Sequence, residues 1–148
     1  MAERQVKIEE LTIEEASRHF VDSYISTEVR NGLILKAFQE VDRGDFVPEE
    51  GLPQAYVDKI IPLGDGSSIS QPSLVAKMLD FANLDGTGKL LELGTASGYY
   101  AAIMSKCSEE VHTVEYNPDL AESAAWLLSE LGHKNIFVHL GDGLAGVP

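Results

Sequence analysis

Lys89-Leu90-Leu91-Glu92-Leu93-Gly94-Thr95-Ala96-Ser97-Gly98-Tyr99 is an apolar run carrying an acid near its end, followed by a glycine-rich turn and the start of an apolar helical pattern. That order predicts a buried β-strand, a loop and a helix, the unit with which α/β folds hold nucleotide-containing cofactors. Glycine lets backbone approach a ligand closely, and the helix that follows presents unpaired N–H groups. Glu92 separates the cofactor classes. A carboxylate at the strand end repels a phosphate but suits a ligand carrying an ammonium and a sulfonium group. The loop therefore points to S-adenosyl-L-methionine rather than to a dinucleotide or ATP. Gly94, Ala96 and Gly98 also miss the G-x-G-x-x-G spacing of dinucleotide folds.

Two further strands extend the pattern. Val111-His112-Thr113-Val114-Glu115 ends in an acid twenty-one residues after Gly94. An acid at that distance can accept hydrogen bonds from both ribose hydroxyls. Ile136-Phe137-Val138-His139-Leu140 leads into Gly141-Asp142-Gly143, where Asp142 is placed to accept from an adenine amino group. Taken singly, each of these acids reads more readily as a solvated turn residue than as a ligand contact. Three of them at the C-terminal ends of successive strands read as a ligand site, because open α/β sheets bind ligands there.

The remaining sequence is organised around that unit. Thr12 is a helix cap with Glu14 and Glu15 in the first turn, and a second helix is expected over Glu28 to Val41, with Val29, Leu33, Ala37 and Val41 on one face. Residues 44–68 are broken by Pro48, Gly51, Pro53, Pro62, Gly64 and Gly66 and read as an ordered connection. Pro72 suits the first turn of a helix carrying Leu74, Val75, Met78, Leu79 and Ala82. Helices follow from Tyr99 to Ser105 and from Pro118 to Leu131, the latter between Asn117 and Gly132. Strands alternating with helices predict a parallel α/β sheet. The division expected is an N-terminal helical segment, 1–50, and a cofactor-binding domain, 51–148.

Composition bounds the partners. The 148 residues carry 24 acids against 11 Lys and Arg, a formal charge of −13, which disfavours nucleic acid and anionic membranes. The lone Cys107 excludes an intramolecular disulfide and suits a reducing compartment. No apolar stretch approaches the roughly 20 residues needed to span a bilayer. Met1-Ala2-Glu3-Arg4 is followed by no apolar secretory segment. These features lead us to expect a soluble, cytoplasmic protein. The four histidines do not share ligand spacing on one element, so no metal is expected.

Beyond these features the chain resembles the protein-L-isoaspartate (D-aspartate) O-methyltransferases, class I S-adenosyl-L-methionine-dependent enzymes. The likeness lies in Ala55-Tyr56-Val57-Asp58, Pro62-Leu63-Gly64, Ile69-Ser70-Gln71-Pro72 and Val75-Ala76-x-Met78, then in the glycine loop and in Gly141-Asp142-Gly143. The resemblance implies a Rossmann-like methyltransferase sheet and methyl transfer to the carboxylate of L-isoaspartyl residues in damaged proteins or peptides. It implies cofactor contacts from Glu92, Gly94, Thr95, Ala96, Ser97, Gly98, Glu115, Tyr116, Asp142 and Gly143. It makes Ser70 the active-site hydroxyl, with a helix cap as the alternative for the same residue. Tyr56, Asp58 and Ile69 fall on the substrate side, where Tyr56 and Asp58 read equally as structural.

The chain departs from that family at several positions. Ala96 stands where a glycine is usual and is penalised if the loop needs a positive φ. Asp42 replaces a proline, Ser67 and Ser68 replace other residues before Ile69, and Tyr100 replaces a smaller or polar residue. Only the first three parallel strands of the family sheet are expected, so the first strand would be left with an unpaired edge, a route to a homo-oligomer. Two alternatives stay open: a carboxyl methyltransferase acting on another peptide, and a catalytically silent cofactor-binding or interaction module.

Overall fold

The structure, a computed structural model, describes residues 11–147. Residues 1–10, and with them the amino-terminal reading and the first part of the 1–50 segment, lie outside the described residues.

Helix α1 (Ile13–Phe20) begins at a capping box in which Thr12 and Glu15 each satisfy the other's backbone N–H. It runs into one π-helical stretch, Val21–Ile25, that buries Val21 and Ile25. Helix α2 is Gly32–Glu40 and starts four residues later than expected, at the Asn31 cap. The reason is tertiary. Asp80 Oδ1 accepts the backbone N–H groups of Arg30 and Asn31 at 2.9 and 2.8 Å, which holds both outside the helix. Two 3₁₀ turns follow, Arg43–Phe46 and Glu49–Gln54.

The expected connection contains a hairpin, β1 (Ile61–Gly64) paired antiparallel with β2 (Ser67–Ile69). Its turn uses three successive positive φ angles, at Gly64, Asp65 and Gly66. Next come α3 (Pro72–Phe81), β3 (Lys89–Leu93), α4 (Tyr99–Ser105), β4 (Glu110–Glu115), α5 (Pro118–Glu130) and β5 (Ile136–Leu140). Helix α5 is capped by Asn117 and stopped by Gly132 at φ +80°, with the His133 N–H returning to the Leu128 carbonyl.

The three strands are parallel, as the alternation of elements predicts, and lie in the order β3-β4-β5. Leu90, Val111, Thr113, Ile136 and Val138 share the face that packs on the helices. One hydrophobic core joins the N-terminal helices to this sheet: Phe38 and Phe46 pack on Tyr99 at the start of α4. The opposite face presents Leu91, His112 and Phe137 in one row. Strand β3 pairs on one side only within the described residues, and Leu91 and Leu93 are 52% and 54% exposed. No helix of the described residues is long and apolar enough to cross a membrane.

Candidate functional site

The C-terminal ends of the three strands are tied together by backbone. The Gly94 N–H donates to the Val114 carbonyl at 2.8 Å, and the Gly141 N–H donates to the Glu115 carbonyl at 2.9 Å. These bonds bring Glu92, the glycine loop, Glu115 and the Gly141–Gly143 turn to one end of the sheet.

The loop after β3 has the strained backbone that its sequence suggests. Gly94, Ala96 and Gly98 all have positive φ, +90°, +51° and +88°. Ala96, the departure from glycine, thus sits in the left-handed region that costs an L-residue energy. A Cβ on Gly98 would lie 3.1 Å from Leu128, whereas one on Gly94 would meet nothing within 4 Å. Gly94 therefore borders open space in front of the loop.

Two acids stand at the same end of the sheet as the loop. Glu115 is 7% exposed, and its carboxylate accepts the Ala96 N–H at 2.9 Å and the Asn117 N–H at 3.0 Å. Each oxygen keeps a further lone pair for a ligand hydroxyl. Glu92 accepts the Thr113 hydroxyl at 2.6 Å. Burial pushes the Glu92 carboxyl up to about 7; the Thr113 donor opposes this and the Glu115 charge adds to it. No Lys, Arg or His among the described residues makes an ion pair with Glu92. An under-compensated acid beside open backbone fits the ammonium group of an amino-acid-derived ligand such as S-adenosyl-L-methionine.

The other expected contacts divide. Tyr116 is 81% exposed directly after Glu115. Asp142 is exposed and caps the 3₁₀ turn Gly143–Ala145 by accepting the Leu144 N–H at 3.0 Å. Gly143 lies against β3, where an added Cβ would come 2.8 Å from Leu93. Thr95 is buried with its hydroxyl 2.7 Å from that of Thr113, and the Ser97 hydroxyl is buried without a partner among the described residues.

Ser70 lies between β2 and α3, exposed, and is not the helix cap. The cap position belongs to Gln71, whose side chain does not cap. Instead Asp58 accepts the Ser73 N–H and hydroxyl and the Gln71 amide at 2.7–2.8 Å. Burial pushes the Asp58 carboxyl up, but these donors, with the Arg43 charge, hold it below the usual carboxylate range. Tyr56 donates to Asp42 at 2.7 Å, so the residue standing in place of a proline anchors it. Ile69 is fully buried. These three residues shape the Ser70 segment from within the chain.

The supporting roles of two residues escaped the sequence reading. Arg43 is 1% exposed and donates to the carbonyls of Ala55, Val57 and Lys59, gathering the segment that contains Tyr56 and Asp58. Tyr100 on α4 donates its hydroxyl to the Ser70 carbonyl at 2.5 Å, joining the cofactor-loop helix to the Ser70 segment. Neither is marked by its neighbours in sequence. His112 and His139 meet on adjacent strands at 2.8 Å, yet no group of three metal-ligating side chains occurs among the described residues.

The chain is similar in sequence and fold to known proteins. The sequence model of the family described as Protein-L-isoaspartate(D-aspartate) O-methyltransferase matches residues 15–148. The protein-L-isoaspartate O-methyltransferase of Roseiflexus sp. (strain RS-1) is 43% identical over 131 residues, covering 88% of this chain and 60% of that protein. A solved protein-L-isoaspartate O-methyltransferase superposes with TM-score 0.77 at 32% identity, over 93% of this chain and 44% of its own. A structure from Plasmodium falciparum described as a putative member, in complex with S-adenosyl-L-homocysteine, shares the fold at TM-score 0.66 and 20% identity, over 87% of this chain and 62% of its own. The chain thus spans 60% of the length of the Roseiflexus protein.

Proposed function

Because this chain belongs to the protein-L-isoaspartate (D-aspartate) O-methyltransferase family, we propose that it binds S-adenosyl-L-methionine at the acid-lined end of its sheet and serves methyl transfer to the carboxylate of L-isoaspartyl residues in damaged proteins or peptides. The observation that carries this reading is the meeting of Glu92, the left-handed glycine loop and Glu115 around open backbone. When bound, the cofactor supplies an electrophilic methyl group on a positively charged sulfur.

The residues of the chain then have separable tasks. Glu92 holds the ammonium end of the ligand, Glu115 the ribose hydroxyls and Asp142 the adenine amino group, with Tyr116 beside the base. Thr95, Ser97 and Gly143 complete the wall with Gly94, Ala96 and Gly98. The acceptor carboxylate is already ionised at neutral pH, so the site needs no general base. Rate comes from holding carboxylate, methyl and sulfur in line and excluding water. Ser70 presents its hydroxyl at the acceptor side, and Arg43, Tyr56 and Asp58 fix the segment that carries it. The single buried Cys107, its thiol pushed by burial up to about 11, suits a reducing cytoplasm.

The edge of β3 that is unpaired among the described residues supports a homo-oligomer, because the backbone groups of its alternate residues, in a strand that carries the exposed Leu91 and Leu93, pair readily with another strand. The functional test is incubation of the chain with methyl-labelled cofactor and two peptides that differ only in an isoaspartyl or aspartyl link. Base-labile label in the isoaspartyl peptide alone is expected. Equal labelling, or none with cofactor bound, overturns the acceptor assignment.

A further inference from the structure

Thr113 is the fourth of the six residues of β4 and is completely buried, and Thr95 in the glycine loop is 3% exposed. Their hydroxyls lie 2.7 Å apart, and that of Thr113 lies 2.6 Å from Glu92 Oε2. Two buried hydroxyls and one carboxylate thus form a line that runs from the loop, through the central strand, to the acid of the neighbouring strand. We propose that Thr113 is a positioning residue, which with Thr95 aims the Glu92 carboxylate at the ammonium group of the ligand and stabilises its ionised form. The inference rests on the reading of Glu92 as the ammonium contact.

The direction of the line follows from counting protons. A hydroxyl has one proton, and an ionised carboxylate can only accept. Thr113 therefore spends its proton on Glu92 and receives one from Thr95. Thr113 is the only hydrogen-bond donor to Glu92 among the described residues. A charge-assisted bond of this kind stabilises the ionised acid. The other groups that face Glu92 oppose ionisation or are neutral: the Glu115 carboxylate at the end of β4 and the Tyr100 phenol on α4, itself raised by burial. With Glu92 close to half-ionised at neutral pH, removing one donor changes the charge the ligand meets. A threonine here does what packing alone does not require, since valine has the same shape without the hydroxyl.

The test compares wild type with Thr113→Val, Thr113→Ser and Thr95→Val. The Glu92 carboxyl carbon is followed by NMR from pH 5 to 9 in the ligand-free chain, and S-adenosylhomocysteine affinity is measured in parallel. Thr113→Val is expected to raise the Glu92 midpoint by about one unit and to weaken S-adenosylhomocysteine about tenfold at pH 7. Thr113→Ser restores both, and Thr95→Val shifts the midpoint in the same direction by less. An unchanged midpoint in a folded Thr113→Val chain overturns the proposal; if valine prevents folding, an unchanged midpoint in Thr95→Val does so. A shifted midpoint in a chain that never binds S-adenosylhomocysteine leaves the line of hydroxyls standing and removes the cofactor reading instead.

Discussion

Glu115 Oε2 accepts the backbone N–H of Ala96 at 2.9 Å, so the acid that ends the second parallel strand also holds the loop that follows the first. The same carboxylate accepts the Asn117 N–H that leads into α5. One side chain thus fixes the loop on one side and the helix entry on the other, while its remaining lone pairs face the proposed ligand. Glu115→Ala leaves two backbone donors without their partner, at a cost on the order of 2 kcal/mol. The expected outcome in thermal unfolding is a lower midpoint together with lost S-adenosylhomocysteine binding. Unchanged stability would show that the loop is held by other means.

Ala96 offers the opposite experiment. At φ +51° it bears the steric cost that glycine avoids, whereas glycine loses more freedom on folding. Ala96→Gly should therefore stabilise the chain by about 0.5–1 kcal/mol at most. Chemical denaturation measures this directly, and a less stable glycine variant would contradict a strained loop.

The pH dependence of stability has a definite sign at Glu92. Burial raises its folded carboxyl to about 7 from an ordinary value of 4.5, so between those limits the folded chain binds more protons than the unfolded one. Its contribution to stability is complete below the ordinary value and is lost as pH rises towards 7. Glu92→Gln, neutral throughout, is expected to flatten the fall in unfolding midpoint between pH 4.5 and 7. An equally steep fall in the glutamine variant would assign the effect to other groups.

Arg43 gathers three carbonyls of residues 55–59 from inside the core, between the rings of Phe20 and Tyr99. Removing a buried charge with its partners in place leaves those carbonyls unsatisfied. Arg43→Met is expected to cost about 3 kcal/mol and to open residues 55–59 to proteolysis. Lysine, lacking the planar fork, should rescue it only in part.

The exposed edge of β3 gives a prediction about assembly. Light scattering should find the wild-type chain self-associated, and Leu91→Lys with Leu93→Lys should return it to a monomer, since charge on an edge blocks pairing. A wild-type monomer at every concentration tested would remove the edge as an interface.

Much of this was legible in the sequence for a physical reason. Strands β3, β4 and β5 are short apolar runs bounded by turns, and α5 carries its own stop and start in Asn117, Pro118 and Gly132. Where local signals failed, a distant contact had taken over. The start of α2 is set by Asp80, fifty residues away, and the cap of α3 is supplied by Asp58 rather than by Ser70 or Gln71. The β1–β2 hairpin hid behind Pro62 and the glycines of its own turn. Within the site, the three acids showed themselves by their positions at strand ends. Thr113 did not, because nothing in the order of residues indicates that its hydroxyl lies between Thr95 and Glu92. Arg43 and Tyr100 were hidden in the same way, since each acts on backbone carbonyls that no side-chain pattern marks.

The most direct test of the account is a calorimetric titration of the 148-residue chain with S-adenosylhomocysteine, the product form of the proposed cofactor. One-to-one binding that is lost in both Glu92→Gln and Glu115→Ala is the predicted result. A folded chain that takes up no S-adenosylhomocysteine, or that binds it equally well without these two acids, would contradict the assignment of this end of the sheet as the cofactor site.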